Sequence, residues 1–209
     1  PYLSRGLGDV YKRQDILGEG EPKIPHPSDD TWNGISLPWM AFGYGVSLTP
    51  LQQLTFYNAV ANNGEMVKPS FINSVGSIGE KPIYQIDREI IMPSISSRET
   101  LKSVKKMLLN VVEKPWGTAN NIYDKDLKIA GKTGTAQVDY TKDETQYISS
   151  FVGYFPADDP KYSSIVVIHK PKKSEGYYGN TVAAPVFKKV AKKIMNLSLI
   201  HISEPTRQI

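Results

Sequence analysis

The sequence predicts an α+β fold, an antiparallel sheet with flanking helices. Two runs rich in β-branched and aromatic residues, Tyr147–Phe155 and Tyr162–Lys170, are joined by little more than Pro156-Ala-Asp-Asp-Pro160. A connection that short cannot cross over a sheet, so the two strands must pair antiparallel. A third strand-like run, Ile129–Val138, holds Gly131, Lys132, Thr133, Gly134 and Thr135 in its middle. Around these lie segments with helical spacing of apolar residues, over about 50–62, 97–113 and 181–196.

Composition sets the class. A chain of 209 residues buries roughly 70% of its unfolded surface, and 40% hydrophobic against 22% charged residues is ordinary for a globular protein. The net charge of +4 comes with lysines that do not interleave with aromatics, so no nucleic-acid partner is expected. There is no cysteine, hence no disulfide framework and no thiolate chemistry. His26, His169 and His201 share no ligand spacing, so no metal is expected. No run of 18 apolar residues spans a membrane, and no signal peptide is legible.

In chain order, residues 1–14 have neither periodicity nor a cap and do not join naturally to the residues after them. Residues 197–209 are alike. Both read as non-native, adaptor-like tails, which leaves 15–196 as the domain. Residues 18–39, rich in Gly, Pro and Asp, predict an extended surface segment with turns, pinned by Trp32 and Trp39. The glycines of Ala41-Phe-Gly-Tyr-Gly-Val-Ser-Leu48 suggest close approach of the backbone to a neighbour. Thr49-Pro50 opens a helix, because threonine caps free amides and proline at the first position has no amide to lose. Asn62-Asn63-Gly64 stops it. Met66–Asn73 reads as extended, and fragments such as Ile83-Tyr-Gln-Ile86 predict a small hairpin within 75–93.

Ser96-x-x-Glu99 is a capping box for the second helix, whose Leu101, Val104, Leu108, Val111 and Val112 make one buried face. Trp116-Gly-Thr-Ala119 then turns the chain toward the lysine strand. Residues 139–146 are polar and suit a loop at the lip of a site. In the last helix Val182, Val186, Val190 and Ile194, with Ala183, Phe187, Ala191 and Met195, make the apolar face. Pro185 falls in its first turns, and Lys188, Lys189, Lys192 and Lys193 read as a solvated surface.

Ile129–Val138 concentrates the chemistry: an ammonium, two hydroxyls and a glycine that keeps the backbone open. A phosphate-binding loop is excluded, because G-x-x-x-x-G-K-[ST] needs glycine where Asp126 stands. The remaining reading of Lys-Thr-Gly-Thr is an anion-binding edge strand beside a nucleophilic serine. Gly43-Tyr-Gly-Val-Ser-Leu-Thr-Pro-Leu-Gln52, Tyr57–Gly64, Gly131–Gln137, Ser150-Phe-Val-Gly-Tyr-Phe-Pro156 and Ala183-Ala-Pro-Val-Phe187 occur in the order found in class B penicillin-binding proteins. The chain resembles the C-terminal part of such a transpeptidase domain, most closely the division type.

That resemblance implies the penicillin-binding protein/β-lactamase-like transpeptidase fold, with three of its five antiparallel strands here; the other two would lie alongside residues 162–170, leaving an open edge. It implies acyl transfer from D-alanyl-D-alanine stem peptides, with no cofactor. Lys132 and Thr135 are then catalytic, the Thr135 amide being an oxyanion donor. Thr133, Gly134 and Thr135 bind substrate. The implied partners are peptidoglycan stem peptides, β-lactams and division-machinery proteins; the implied location is the bacterial inner membrane, with the domain on the periplasmic side.

The family's Ser-x-Asn motif does not occur. Ser103-Val-Lys-Lys106 fits the letters of the Ser-x-x-Lys nucleophile motif but lies 132 − 106 = 26 positions before Lys132, and Ser103 falls roughly 200° round the helix from Leu101. It reads as a decoy, and the chain as an inactive fragment lacking its nucleophile. The other readings are a noncatalytic penicillin-binding or sensor domain, an elongation-type transpeptidase and a serine β-lactamase relative.

Overall fold

The computed structural model describes residues 19–77, 81, 83–138 and 145–203. The tail expected over 1–14, the end of the tail expected over 197–209, and most of the lip loop, 139–144, lie outside these residues. The described residues fall into two compact units, divided between Ser97 and Arg98.

In the first unit, the segment expected to be extended contains a short helix, α1 (Ser36–Ala41). Trp39 does not anchor it to a core. It is 48% exposed and packs edge-on against Tyr44, with ring centroids 5.3 Å apart. The following glycines are required for a different reason than close approach. Gly43 and Gly45 take φ of +90° and +73°, and a Cβ at Gly43 would meet nothing within 4 Å, so left-handed backbone and not crowding selects glycine.

Helix α2 (Pro50–Ala61) starts as its sequence dictates and with one bond more. Thr49 Oγ1 accepts from the Gln52 amide at 3.2 Å, and Gln52 Oε1 accepts in return from the Thr49 amide at 2.8 Å. Such a cap is typically worth about 1 kcal/mol. The helix ends through Asn63 and Gly64, both at positive φ, with the Gly64 amide donating to Ala59 O at 2.8 Å. Beyond it β1 (Met66–Val67) pairs antiparallel with β4 (Ile90–Met92), and β2 (Ser74–Val75) with β3 (Tyr84–Gln85). The hairpin expected within 75–93 is thus narrower, because its last strand returns to β1.

The second unit holds the sheet. Its elements are α3 (Arg98–Glu113), a 3-10 turn (Asn120–Ile122), β5 (Ala130–Val138), β6 (Gln146–Phe155), β7 (Tyr162–His169), a second 3-10 turn (Lys173–Glu175), α4 (Gly179–Val182) and α5 (Ala184–Ser203). Helix α3 begins one residue later than expected, so Ser97, not Ser96, directly precedes it. The strand order is β5-β6-β7, antiparallel throughout. Phe151 and Phe155 share one face of β6 and meet Phe187 of α5 at centroid distances of 4.8 and 5.7 Å. Ala184 and Ala191 let the helix come that close, and these five, with Ala183 just before the helix, are fully buried. Among the described residues β7 is an edge strand.

The single helix expected over 181–196 is two. Pro185 cannot tolerate the carbonyl one turn back, and the chain breaks at Ala183 between α4 and α5. Helix α5 then runs past Asn196 to Ser203, where Tyr162 Oη donates to Ser198 Oγ at 3.2 Å. Among the described residues no helix is long and apolar enough to cross a membrane.

The lysines of α5 are not all solvated. Lys192 and Lys188 reach Asp124 at 2.6 and 3.3 Å, while Asp124 Oδ1 accepts from the Asp126 and Leu127 amides at 3.1 and 3.3 Å. This clamp fixes the turn that feeds β5. The Lys192 hydrogen bond first, then the Asp126 amide and Lys188, hold the Asp124 carboxyl well below the usual carboxylate range. A depressed folded pKa stabilises fully above the unfolded value, about 3.9, and that stability is lost as pH falls toward the folded one. Asp124→Asn is therefore expected to melt lower than the unaltered chain at pH 6, with the gap closing below about pH 4. Thermal melts across pH 2–7 check this, and a gap independent of pH would remove the clamp's electrostatic role.

Candidate active site

Strand β5 lies flat against β6 because glycines face each other in the ladder. Gly131 pairs with Gly153, and a Cβ on Gly153 would lie 2.3 Å from Ala130 O. One residue on, Lys132 is exposed, and its Nζ donates to Thr133 O at 2.8 Å and to Thr133 Oγ1 at 3.4 Å. Its surroundings nevertheless shield the ammonium enough that burial lowers its pKa from the ordinary lysine value. The Thr133 hydroxyl lies 3.2 Å from that of Thr118.

Gly134 packs against its ladder partner: a Cβ there would lie 2.5 Å from Ser150 Oγ and displace that hydroxyl. Gly179, at the start of α4, closes over it: a Cβ on Gly179 would lie 2.5 Å from both Gly134 O and Ser150 O. Thr135 Oγ1 accepts from the Gly179 amide at 3.0 Å. The four residues singled out from sequence thus form one run, with Lys132, Thr133 and Thr118 clustered at one end and Thr135 tied to α4 at the other.

Three tyrosines complete the surroundings and are not legible as site residues from sequence. Tyr147 stacks on Tyr177 at 4.1 Å, and Tyr177 leans on Tyr178 at 4.4 Å. Lys173 Nζ sits 5.8 Å above the Tyr147 ring, and Ser149 Oγ donates to Tyr177 O. The available signal is an aromatic pair followed by glycine at a helix start, Tyr177-Tyr178-Gly179, in line with Thr135 and its ladder neighbour Ser149. Ser103 and Lys106, by contrast, are both exposed on α3.

A three-stranded antiparallel sheet backed by α5, with the lysine- and hydroxyl-bearing β5 at one edge among the described residues, makes this an α+β domain. The penicillin binding protein transpeptidase domain family matches residues 20–192, and the chain belongs to that family. It is 32% identical over 199 residues to the peptidoglycan D,D-transpeptidase FtsI of Buchnera aphidicola subsp. Baizongia pistaciae, covering 94% of this chain and 32% of that protein. It is 36% identical to the stage V sporulation protein D of Bacillus subtilis over 70% of this chain and 22% of that protein. Penicillin-binding protein 3 of Mycobacterium tuberculosis in its apo form superposes with a TM-score of 0.75 at 28% identity, over 95% of this chain and 46% of that one. The chain therefore spans about a third or less of these two curated relatives.

Proposed function

We propose that the chain is the substrate-binding part of a peptidoglycan D,D-transpeptidase that cross-links stem peptides during septal wall synthesis. The observation that carries this is the Lys132 ammonium beside the Thr133 and Thr118 hydroxyls, on a strand laddered on one side only among the described residues. A stem peptide ending in D-alanyl-D-alanine adds along that open edge as an extra strand, its carboxylate held by Thr133 and Thr135. The Thr135 amide donates to the oxyanion, and Lys132 stabilises negative charge at the nucleophile and supports its proton transfer. Gly134 keeps the strand flat against Ser150.

The nucleophilic serine, in this reading, comes from a part of the parent polypeptide outside these 209 residues. The parent is membrane-anchored, with the domain on the periplasmic side, and works with division-machinery proteins. β-Lactams are ligands by the same geometry; the similar Mycobacterium tuberculosis protein has been solved with aztreonam and with ampicillin. The septal role draws support from Gly43–Gln52 and from the FtsI relative. Residues 15–196 are the transpeptidase part in this reading, with 1–14 and 197–209 non-native; the family match over 20–192 lies within that part.

Fluorescent penicillin tests the reading directly. The 209-residue chain is expected to show no covalent label on a denaturing gel, while the full-length parent labels. Label attached to Ser103 in the short chain would overturn the assignment of the nucleophile.

A further inference from the structure

Thr118 has no established role and sits where one is needed. It follows α3 on a tight turn in which the Gly117 amide donates to Lys114 O at 2.8 Å and the Ala119 amide to Val111 O at 2.9 Å. A Cβ on Gly117 would lie 2.3 Å from Val111 O, so only glycine lets the turn close. The turn delivers Thr118 to β5, with the two threonine hydroxyl oxygens 3.2 Å apart. Lys132 Nζ approaches the same Thr133 oxygen at 3.4 Å.

We propose that Thr118 is a positioning residue that aims the Thr133 hydroxyl at the carboxylate of a D-alanyl-D-alanine ligand. Two hydroxyls hold two protons, and their mutual bond uses one, so the pair presents a single O–H donor outward. With Thr118 donating, Thr133 Oγ1 accepts from both Thr118 and Lys132, its lone pairs are occupied, and its own proton is left to point at an incoming anion. Without Thr118 that hydroxyl is released to rotate, and a ligand must order it on binding. The inference rests on β5 being the carboxylate-binding strand.

The test titrates N-acetyl-D-alanyl-D-alanine into the 209-residue chain, followed by amide NMR shifts along β5. Thr118→Val is expected to weaken binding about three- to tenfold, and Thr118→Ser to restore it. The D-alaninamide analogue, which has no carboxylate, is expected to bind the Val variant and the unaltered chain alike. Thr118 is exposed, so the melting temperature is expected to move by less than about 2 °C. Equal affinity of the Val variant and the unaltered chain for the free acid overturns the inference and leaves the strand assignment standing; so does a Ser variant that fails to rescue. An unaltered chain that does not bind the dipeptide overturns the strand assignment, and the inference with it.

Discussion

Phe187→Ala is expected to lower the stability of the second unit by about 3–5 kcal/mol, the range for emptying a buried aromatic site. Phe187 is wholly buried and meets two further phenylalanines edge-on, so its removal strips partners from both core-facing rings of β6. The backbone cannot collapse into the gap, because β6 is held on both sides by ladder pairs. At a few degrees per kcal/mol, the melting temperature falls by more than about 10 °C. Val186→Ala, one position away and 41% exposed, serves as the control and is expected to cost less than about 0.5–1 kcal/mol. Similar melts for the two variants would show that the helix is held by something other than this aromatic cluster.

Lys132→Ala in the full-length parent is expected to slow acylation by a penicillin by about two to three orders of magnitude, the size of effect seen when one preorganised charge stabiliser is lost. Two properties of the side chain support this. It is held through Thr133 O at 2.8 Å. Burial lowers its pKa, which makes its ammonium the readier proton donor. Lys132→Arg keeps the charge but cannot give up a proton near neutral pH, and is expected to recover only part of the rate. Stopped-flow measurement of acylation checks both variants, and a loss smaller than tenfold for alanine would remove Lys132 from the mechanism.

Much of the fold is readable in the sequence because it rests on local rules. Thr49-Pro50 and Asn62-Asn63-Gly64 bracket α2 through capping chemistry that needs no tertiary partner, and the short Pro156–Pro160 link forces β6 and β7 together. The features that escape depend on contacts distant in sequence. Nothing local distinguishes Lys188 and Lys192 from solvated neighbours until Asp124 arrives from some 64 positions away (188 − 124). Gly43 and Gly45 mislead because glycine serves crowding and left-handed backbone alike, and only φ separates the two. At the site, Lys132 through Thr135 stand out by residue type, whereas Thr118, Tyr177 and Gly179 acquire meaning only once the turn after α3 and the start of α4 are laid against β5.

The stacking of Gly179 on Gly134 and Ser150 sets one dimension of the site. Where side chains space two elements, the gap breathes as rotamers change. Here main chain rests on main chain, with no room for even a methyl group between, so the spacing is that of touching peptide planes. No rotamer sets that separation, so any side chain added at Gly179 has to push main chain away from main chain.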